Sequence, residues 1–353
     1  MNKALTLLLV LNCSLAWAQA PLSRYDSIGL AHAIDKDFSG AILVAQDGKI
    51  AYEAAYGMAN AETELTNSLT TQFPIASVTK FFTALVIMQL VEEGELKLEA
   101  TLADLLPNQR YPNAKQITVH HLLLHAAGLP YTWYLDKNQH YDQHQVIRRA
   151  LRKGYWKPRF ESHRYSDTDY LILGEVIGAI TQDTWENQVQ KRILDPLGMR
   201  QTGFHQQGIL PEDLARTYSQ NRNGEWVPDP SIHWENFHAA GNMYSTVYDL
   251  LKLDQGLREG EILTQQSQET MYAMHPEWKA PGYSVWTYKY PFVESQPRLM
   301  ERRGGIMGAN CVLVRGLEEN TTVIVLSNTS AFNPDSFGDP TNLREALIME
   351  AFR

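Results

Sequence analysis

Ser77 and Lys80 stand three residues apart in "FPIASVTKFF", at the head of a long apolar run. A hydroxyl and an amine one helical turn apart can act as a nucleophile and its base. With Ser77 in the first turn of a helix, free backbone N–H groups and the positive dipole end face its hydroxyl. Lys80 at i+3 shares that face. An ordinary lysine is almost wholly protonated at neutral pH. Burial, or a second cation nearby, lowers its pKa toward the range a base needs. The following "FFTALVIMQL" supplies an apolar setting. Taken alone, the pattern is equally an N-cap serine followed by a solvated lysine.

Other constellations are weaker. His121 and His125 are at i, i+4, but no Glu stands between them as in H-E-x-x-H, and their segment is apolar. They read as core or supporting histidines, so no metal is expected. The chain has no G-x-S-x-G, no P-loop and no dinucleotide fingerprint. No cofactor is expected either.

The elements around the serine follow from periodicity. "RYDSIGLAHAI" has helical spacing, and two β-rich runs, "GAILVAQ" and "KIAYEAAYG", flank Asp47-Gly48 as a hairpin. A helix is predicted from Ser77 to Glu93, ending at Gly94. The middle reads as mostly helical. Strand-like runs return as "ANCVLVRG" and "TTVIVLSN", joined by "LEEN", and a last helix, "NLREALIMEAF", follows. Hairpins at both ends favour an antiparallel sheet. The expected class is therefore α+β: one antiparallel β-sheet flanked by the terminal helices, with an inserted all-helical lobe. The sheet part is placed at about 21–75 and 255–353, the lobe at about 76–254, and a ligand cleft between them. "LPYTWYLDKNQHYD" and the stretch from Gln206 to Ala240 read as loops, and the aromatics Tyr131, Trp133, Tyr134, Trp226, Trp234, Tyr283 and Trp286 are candidates to line the cleft or to pack structurally.

Five blocks, in order, carry a resemblance. "AYGMANAETELTNSLTTQFPIASVTKFFTALVIMQLVEEGELKLEATLADLLP" resembles the nucleophile segment of the serine β-lactamase and penicillin-binding protein superfamily, in its class C-like branch. "ITVHHLLLHAAGLP", "RYSDTDYLILGEVIGAITQDTWENQVQKRILDPLGMRQTGF", "AAGNMYSTVYDLLKL" and "RRGGIMGANCVLV" resemble later blocks, from roughly Gly40 to Ser327. The resemblance implies the same sheet-plus-lobe fold. It implies Ser77 as acylated nucleophile, Lys80 in proton transfer and Tyr165 as second acid/base. By spacing alone Tyr165 would be a buried tyrosine with a satisfied hydroxyl. The implied oxyanion donors are the N–H groups of Ser77 and Gly305.

Two departures from the pattern stand out. Asp167 in "YSD" replaces an Asn common in the family, and a carboxylate donates no hydrogen bond unless protonated. Arg302 falls where the family has Lys or His before a glycine. A one-residue slip would put Arg303 there. An arginine can hold a substrate carboxylate and favour a phenolate on Tyr165, but it shuttles no proton. Gly304 and Gly305 allow a substrate backbone to approach the strand.

Composition bounds the rest. The 353 residues carry a net charge of -9, which argues against a nucleic-acid partner. "MNKALTLLLVLNCSLAWAQA" has the basic start, short apolar core and small residues of a cleavable export signal, with cleavage after Ala18 or Ala20. It is short for a membrane anchor, and Asn12 before Cys13 disfavours a lipid attachment. Cleavage leaves Cys311 alone, so no disulfide is expected. The expected protein is secreted or periplasmic: a serine hydrolase of the β-lactamase-related type acting on a small ester, amide or peptide, with no stable membrane span. The alternatives are a D-Ala-D-Ala carboxypeptidase or β-lactamase, or a non-catalytic binding homologue.

Overall fold

Strand alternation sets the architecture. In the computed structural model, which describes residues 22–131, 139–153, 162–206 and 211–353, β1 (Gly40–Gln46) and β2 (Lys49–Tyr56) form the expected hairpin. Asp47 and Gly48 both take positive φ, 51° and 73°, the requirement of a two-residue type I′ turn. Four later strands complete one sheet: β3 (Trp286–Lys289), β4 (Arg298–Ile306), β5 (Ala309–Gly316) and β6 (Thr321–Ser327). The order is β3-β4-β5-β6-β1-β2, antiparallel throughout. The expected signal, residues 1–20, lies outside the described residues. Among those described, no helix is long and apolar enough to cross a membrane.

The helices that bear on the site are α1 (Arg24–Asp35), α2 (Thr79–Glu92), α3 (Val119–Leu123), α4 (Gln143–Lys153), α5 (Asp167–Thr181), α6 (Val247–Arg258) and α7 (Leu343–Ala351). Each sheet face has its own apolar cluster, as a period of two demands. Ile42, Val44, Val312, Val323 and Val325 pack with Leu347 and Ile348 of α7, and α1 lies beside α7 on this side. Ala41, Leu43, Leu313, Ile324 and Leu326 face the other way, into a larger cluster with α2, α5 and α6. The sheet is thus covered by the terminal helices on one face and by helices of the middle segment on the other. The boundary expected near residue 254 falls inside α6, which packs on β1 and β6.

α2 is apolar all round because it is enclosed all round. From Thr79 to Gln89 every residue is buried, including Lys80. The "TVHHLLLHAAGLP" helix is shorter than its pattern suggests. It stops at Leu123, and His125 takes a positive φ of 54°. The 206–240 stretch holds a small hairpin, Tyr218–Gln220 with Trp226–Pro228, and a helical turn at Trp234–Phe237.

β4 docks against the turn that carries Ser77. β3 pairs with β4 only up to Glu301, so on that side β4 has no strand partner from Arg302 to Ile306. A Cβ on Gly304 would lie 2.3 Å from the carbonyl oxygen of Ile75, whereas one on Gly305 would meet only Asn310 Oδ1, at 3.0 Å. Gly304→Ala is therefore expected to cost about 1–3 kcal/mol of stability in a urea melt. Gly305→Ala should cost clearly less. Equal costs for the two would show that β4 does not press on the Ile75 turn.

Candidate active site

Ser77 sits in a single 3-10 turn, Ala76–Val78, that runs directly into α2. The residue before it, Ala76, has a φ of +44°, a region that residues with a Cβ rarely occupy. This bend brings the serine out at the head of an otherwise buried helix.

Lys80 Nζ donates to Ser77 Oγ at 3.1 Å and to the Ala240 carbonyl at 2.7 Å, and lies 2.7 Å from Asp167 Oδ1. Three acceptors match the three N–H bonds of an ammonium. Asp167 is the first residue of α5 and does not reach toward Arg302. Its carboxylate holds Lys80.

Tyr165 donates from its phenol to Ser77 Oγ at 2.6 Å. The structure thus brings Ser77, Lys80 and Tyr165 together. His125 fixes the tyrosine from both sides. Its carbonyl accepts the Arg164 N–H at 2.7 Å, its Nδ1 accepts the Ser166 N–H at 3.2 Å, and its ring centroid lies 4.5 Å from that of Tyr165. The same Nδ1 is 3.0 Å from Asp169 Oδ2. A ring nitrogen that accepts from Ser166 has no proton to give, so Asp169 must be the donor and therefore protonated. Electrostatics agree. Burial, then the Asp167 charge, pushes the Asp169 carboxyl well above the usual carboxylate range. Burial, then Lys80 and Arg302, pushes His125 well below the usual imidazole range.

Arg302 departs from expectation. It is 1% exposed and its fork is already engaged. Nε and Nη2 donate to the Ser77 carbonyl at 2.8 and 2.6 Å, Nη1 to the Ser284 carbonyl at 2.7 Å, and Nη2 to the Tyr165 hydroxyl at 3.3 Å. It is not placed to take a substrate carboxylate, because the nucleophile's own backbone fills its hydrogen-bonding sites. Arg303 points to the other side of β4, paired with Glu301 and with Asp335 at 2.7 Å, away from the serine. Gly304 packs under the Ile75–Ser77 turn, and Gly305 lines the cavity.

That cavity measures about 510 Å³. Ser77 and Gly305 border it, as do the carboxylate-bearing Asp167 and the rings of Tyr131, Trp234 and Phe237. Of the aromatics singled out in the sequence, Tyr131 and Trp234 line it, and Trp226, Tyr283 and Trp286 do not. Trp133 and Tyr134 lie outside the described residues. His121 stacks on Trp278 and bonds Thr118, so it and His125 serve separate neighbours. Among the described residues no three His, Cys, Asp or Glu side chains converge as metal ligands.

The family model described as Beta-lactamase matches residues 31–348. The chain belongs to the beta-lactamase family. Within the family, it is 27% identical over 271 residues to a teichoic acid D-alanine hydrolase of Staphylococcus aureus, over 77% of this chain and 66% of the relative. It therefore spans just under two thirds of that relative's length. An octameric penicillin-binding protein homologue from Pyrococcus abyssi superposes with a TM-score of 0.78 at 27% identity, over 93% of this chain and 77% of the other. A D-amino acid amidase from Ochrobactrum anthropi SV3 gives 0.74 at 25% identity, over 92% and 97%. The β-lactamase/transpeptidase fold expected from the sequence is the fold observed.

The protonated Asp169 has a measurable consequence. A carboxyl whose pKa is raised on folding keeps its proton where the unfolded chain loses it, so stability falls as pH climbs above about 4. Asp169→Asn keeps a donor toward His125 but has no such proton to lose. Its melting temperature relative to wild type should rise as the pH climbs above about 4. Parallel pH profiles would mean that Asp169 is ionised in the folded protein.

Proposed function

We propose that this chain is an exported serine hydrolase that forms an acyl-enzyme at Ser77, with Lys80 and Tyr165 as its proton-handling groups. The observation that carries the reading is the convergence on one Oγ: Tyr165 at 2.6 Å and Lys80 at 3.1 Å, at a helix head facing the cavity. Lys80, with three acceptors, acts as an ammonium. Tyr165 is then the partner that takes the serine proton as Oγ attacks the substrate carbonyl, and it does so as a phenolate, its own phenol proton having first passed to solvent. That phenolate is stabilised by Arg302 Nη2 and by the Lys80 charge, 4.9 Å from the ring centroid, until the serine proton neutralises it. The carbonyl oxygen develops its charge against the N–H groups of Ser77 and Gly305. When the bond to the leaving group breaks, Tyr165 returns the proton to it. Water then cleaves the acyl-enzyme by the same path in reverse.

The substrate class follows from the cavity wall. Asp167, although its Oδ1 is paired with Lys80 and its carboxylate also bonds Tyr131, borders the cavity beside three aromatic rings, an electronegative wall that suits a cationic group. Asp167 therefore favours acyl groups with a free amine close to the carbonyl, that is, aminoacyl esters or amides. The name of the staphylococcal relative, a D-alanine hydrolase, supports the same class. Export from the cytoplasm rests on the basic-apolar-small order of the first twenty residues and suits a substrate outside the cell.

Two measurements test this. A fluorophosphonate probe should add one covalent label to wild type and none to Ser77→Ala, with folding unchanged by circular dichroism. Labelling of the alanine variant would move the nucleophile elsewhere, and no label on wild type would return the fold to a binding role. For Asp167, the ratio of kcat/KM on an aminoacyl ester to that on its N-acetylated analogue should fall at least about tenfold in Asp167→Asn, the loss of one charge-assisted contact. An unchanged ratio would remove Asp167 from amine recognition.

A further inference from the structure

A second groove, of about 430 Å³, lies between the loop at Asn108–Tyr111 and α4. Arg110 forms one wall, and Arg148 and Arg152 of α4 form the other. The last two are at i, i+4 and share a face about 6 Å apart along the axis. All three are exposed, and none has a hydrogen bond or ion pair among the described residues. This is unusual for a chain of net charge -9. Arg149, their neighbour, turns away and lies over the Tyr141 ring at 4.5 Å.

The groove's one carboxylate is masked. Glu175, on its floor, is held by the Tyr111 hydroxyl and by His144 Nδ1. Burial raises its pKa, while the Tyr111 hydroxyl, His144 and Arg148 act in the opposite direction. The sequence concentrates the same sign here: from Arg148 to Arg152, three of five residues are arginine and none is acidic.

We propose that this groove binds a soluble polyanion carrying phosphate groups along an extended chain. Guanidinium pairs fit phosphate oxygens in bidentate fashion. A membrane surface fits less well, because the apolar face of α4 is spent on the protein: Val146, Ile147 and Ala150 are buried. Single-stranded nucleic acid also fits less well. It needs aromatic platforms for stacking, and the groove's Tyr111 is committed to Glu175. Glu175 lies eight residues along α5 from Asp167, about 12 Å of helix. This inference stands independently of catalysis at Ser77.

The test is binding of fluorescent inorganic polyphosphate to the whole protein, wild type and Arg148→Glu/Arg152→Glu. Wild type should bind. With about three phosphate contacts, a rise from 50 to 200 mM salt should weaken binding roughly twentyfold. The double variant should lose at least about tenfold in affinity, with an unchanged melting temperature and unchanged turnover of a small ester. Absence of binding in wild type overturns the proposal, as does equal binding by the variant. Tighter binding to phosphatidylglycerol vesicles makes the surface a membrane site. Tighter binding to single-stranded DNA of matched charge makes it a nucleic-acid site. Loss of small-ester turnover in both proteins would count against the hydrolase reading alone, because binding is read separately.

Discussion

A fully buried ammonium is the constraint around which the rest of this molecule is organised. Lys80 lies inside the largest apolar cluster, where an unpaired charge would cost several kcal/mol. Three separate parts of the chain answer it: Ser77 on its own helix, the Ala240 carbonyl, and Asp167 at the start of α5. Removing one partner of such a pair typically costs about 3–5 kcal/mol, because the other charge is left behind. The three elements are thereby tied to one point, and that point is the serine hydroxyl.

A second cation repeats the device from the sheet side. Arg302 reaches from β4 to the carbonyl of Ser77, and so locks the sheet to the nucleophile turn through the backbone. The positions of Ser77 and Gly305 therefore do not depend on loops, whereas Tyr165 lies in a connecting segment gripped by His125. The first two depend on two buried cations and on the glycine that lets β4 approach. The cleft walls, by contrast, come from connecting segments around Tyr131 and Trp234. Chemistry is held by the rigid parts and selectivity by the adaptable ones, the usual division in such folds.

Much of this was legible in the sequence, for identifiable reasons. Asp47-Gly48 can form few turns other than the one observed, and Val/Ile-rich runs of period two have few places to go but a sheet. The serine-lysine spacing needs only a helix to bring the two groups together, and the apolar run guarantees the helix. What escaped was whatever depends on direction rather than type. Nothing in "RRGG" says that Arg302 turns inward to a carbonyl while Arg303 turns outward to Glu301. That is decided by the register of β4. The double grip of His125 on the Tyr165 segment depends on a positive φ that no local pattern announces. The basic face of α4 was hidden by a chain-wide average of charge.

Cys311 has a consequence for how the protein must be made. Its thiol lies under the site, 3.2 Å from the Ile75 carbonyl, and burial pushes its pKa up to about 12. A Cβ on the neighbouring Gly304 would already be 2.7 Å from the sulfur, so β4 presses closely on the thiol. In an oxidising compartment an exposed thiol is open to sulfenic acid or a mixed disulfide. A chain so modified could not seat β4 against the nucleophile turn. On the proposed export route, assembly becomes a race between strand closure and oxidation, and neighbouring strands joined by short connections favour closure. Once β4, β5 and β6 have zipped together, the sulfur is out of reach, and its inertness is the mark of a molecule that folded in time.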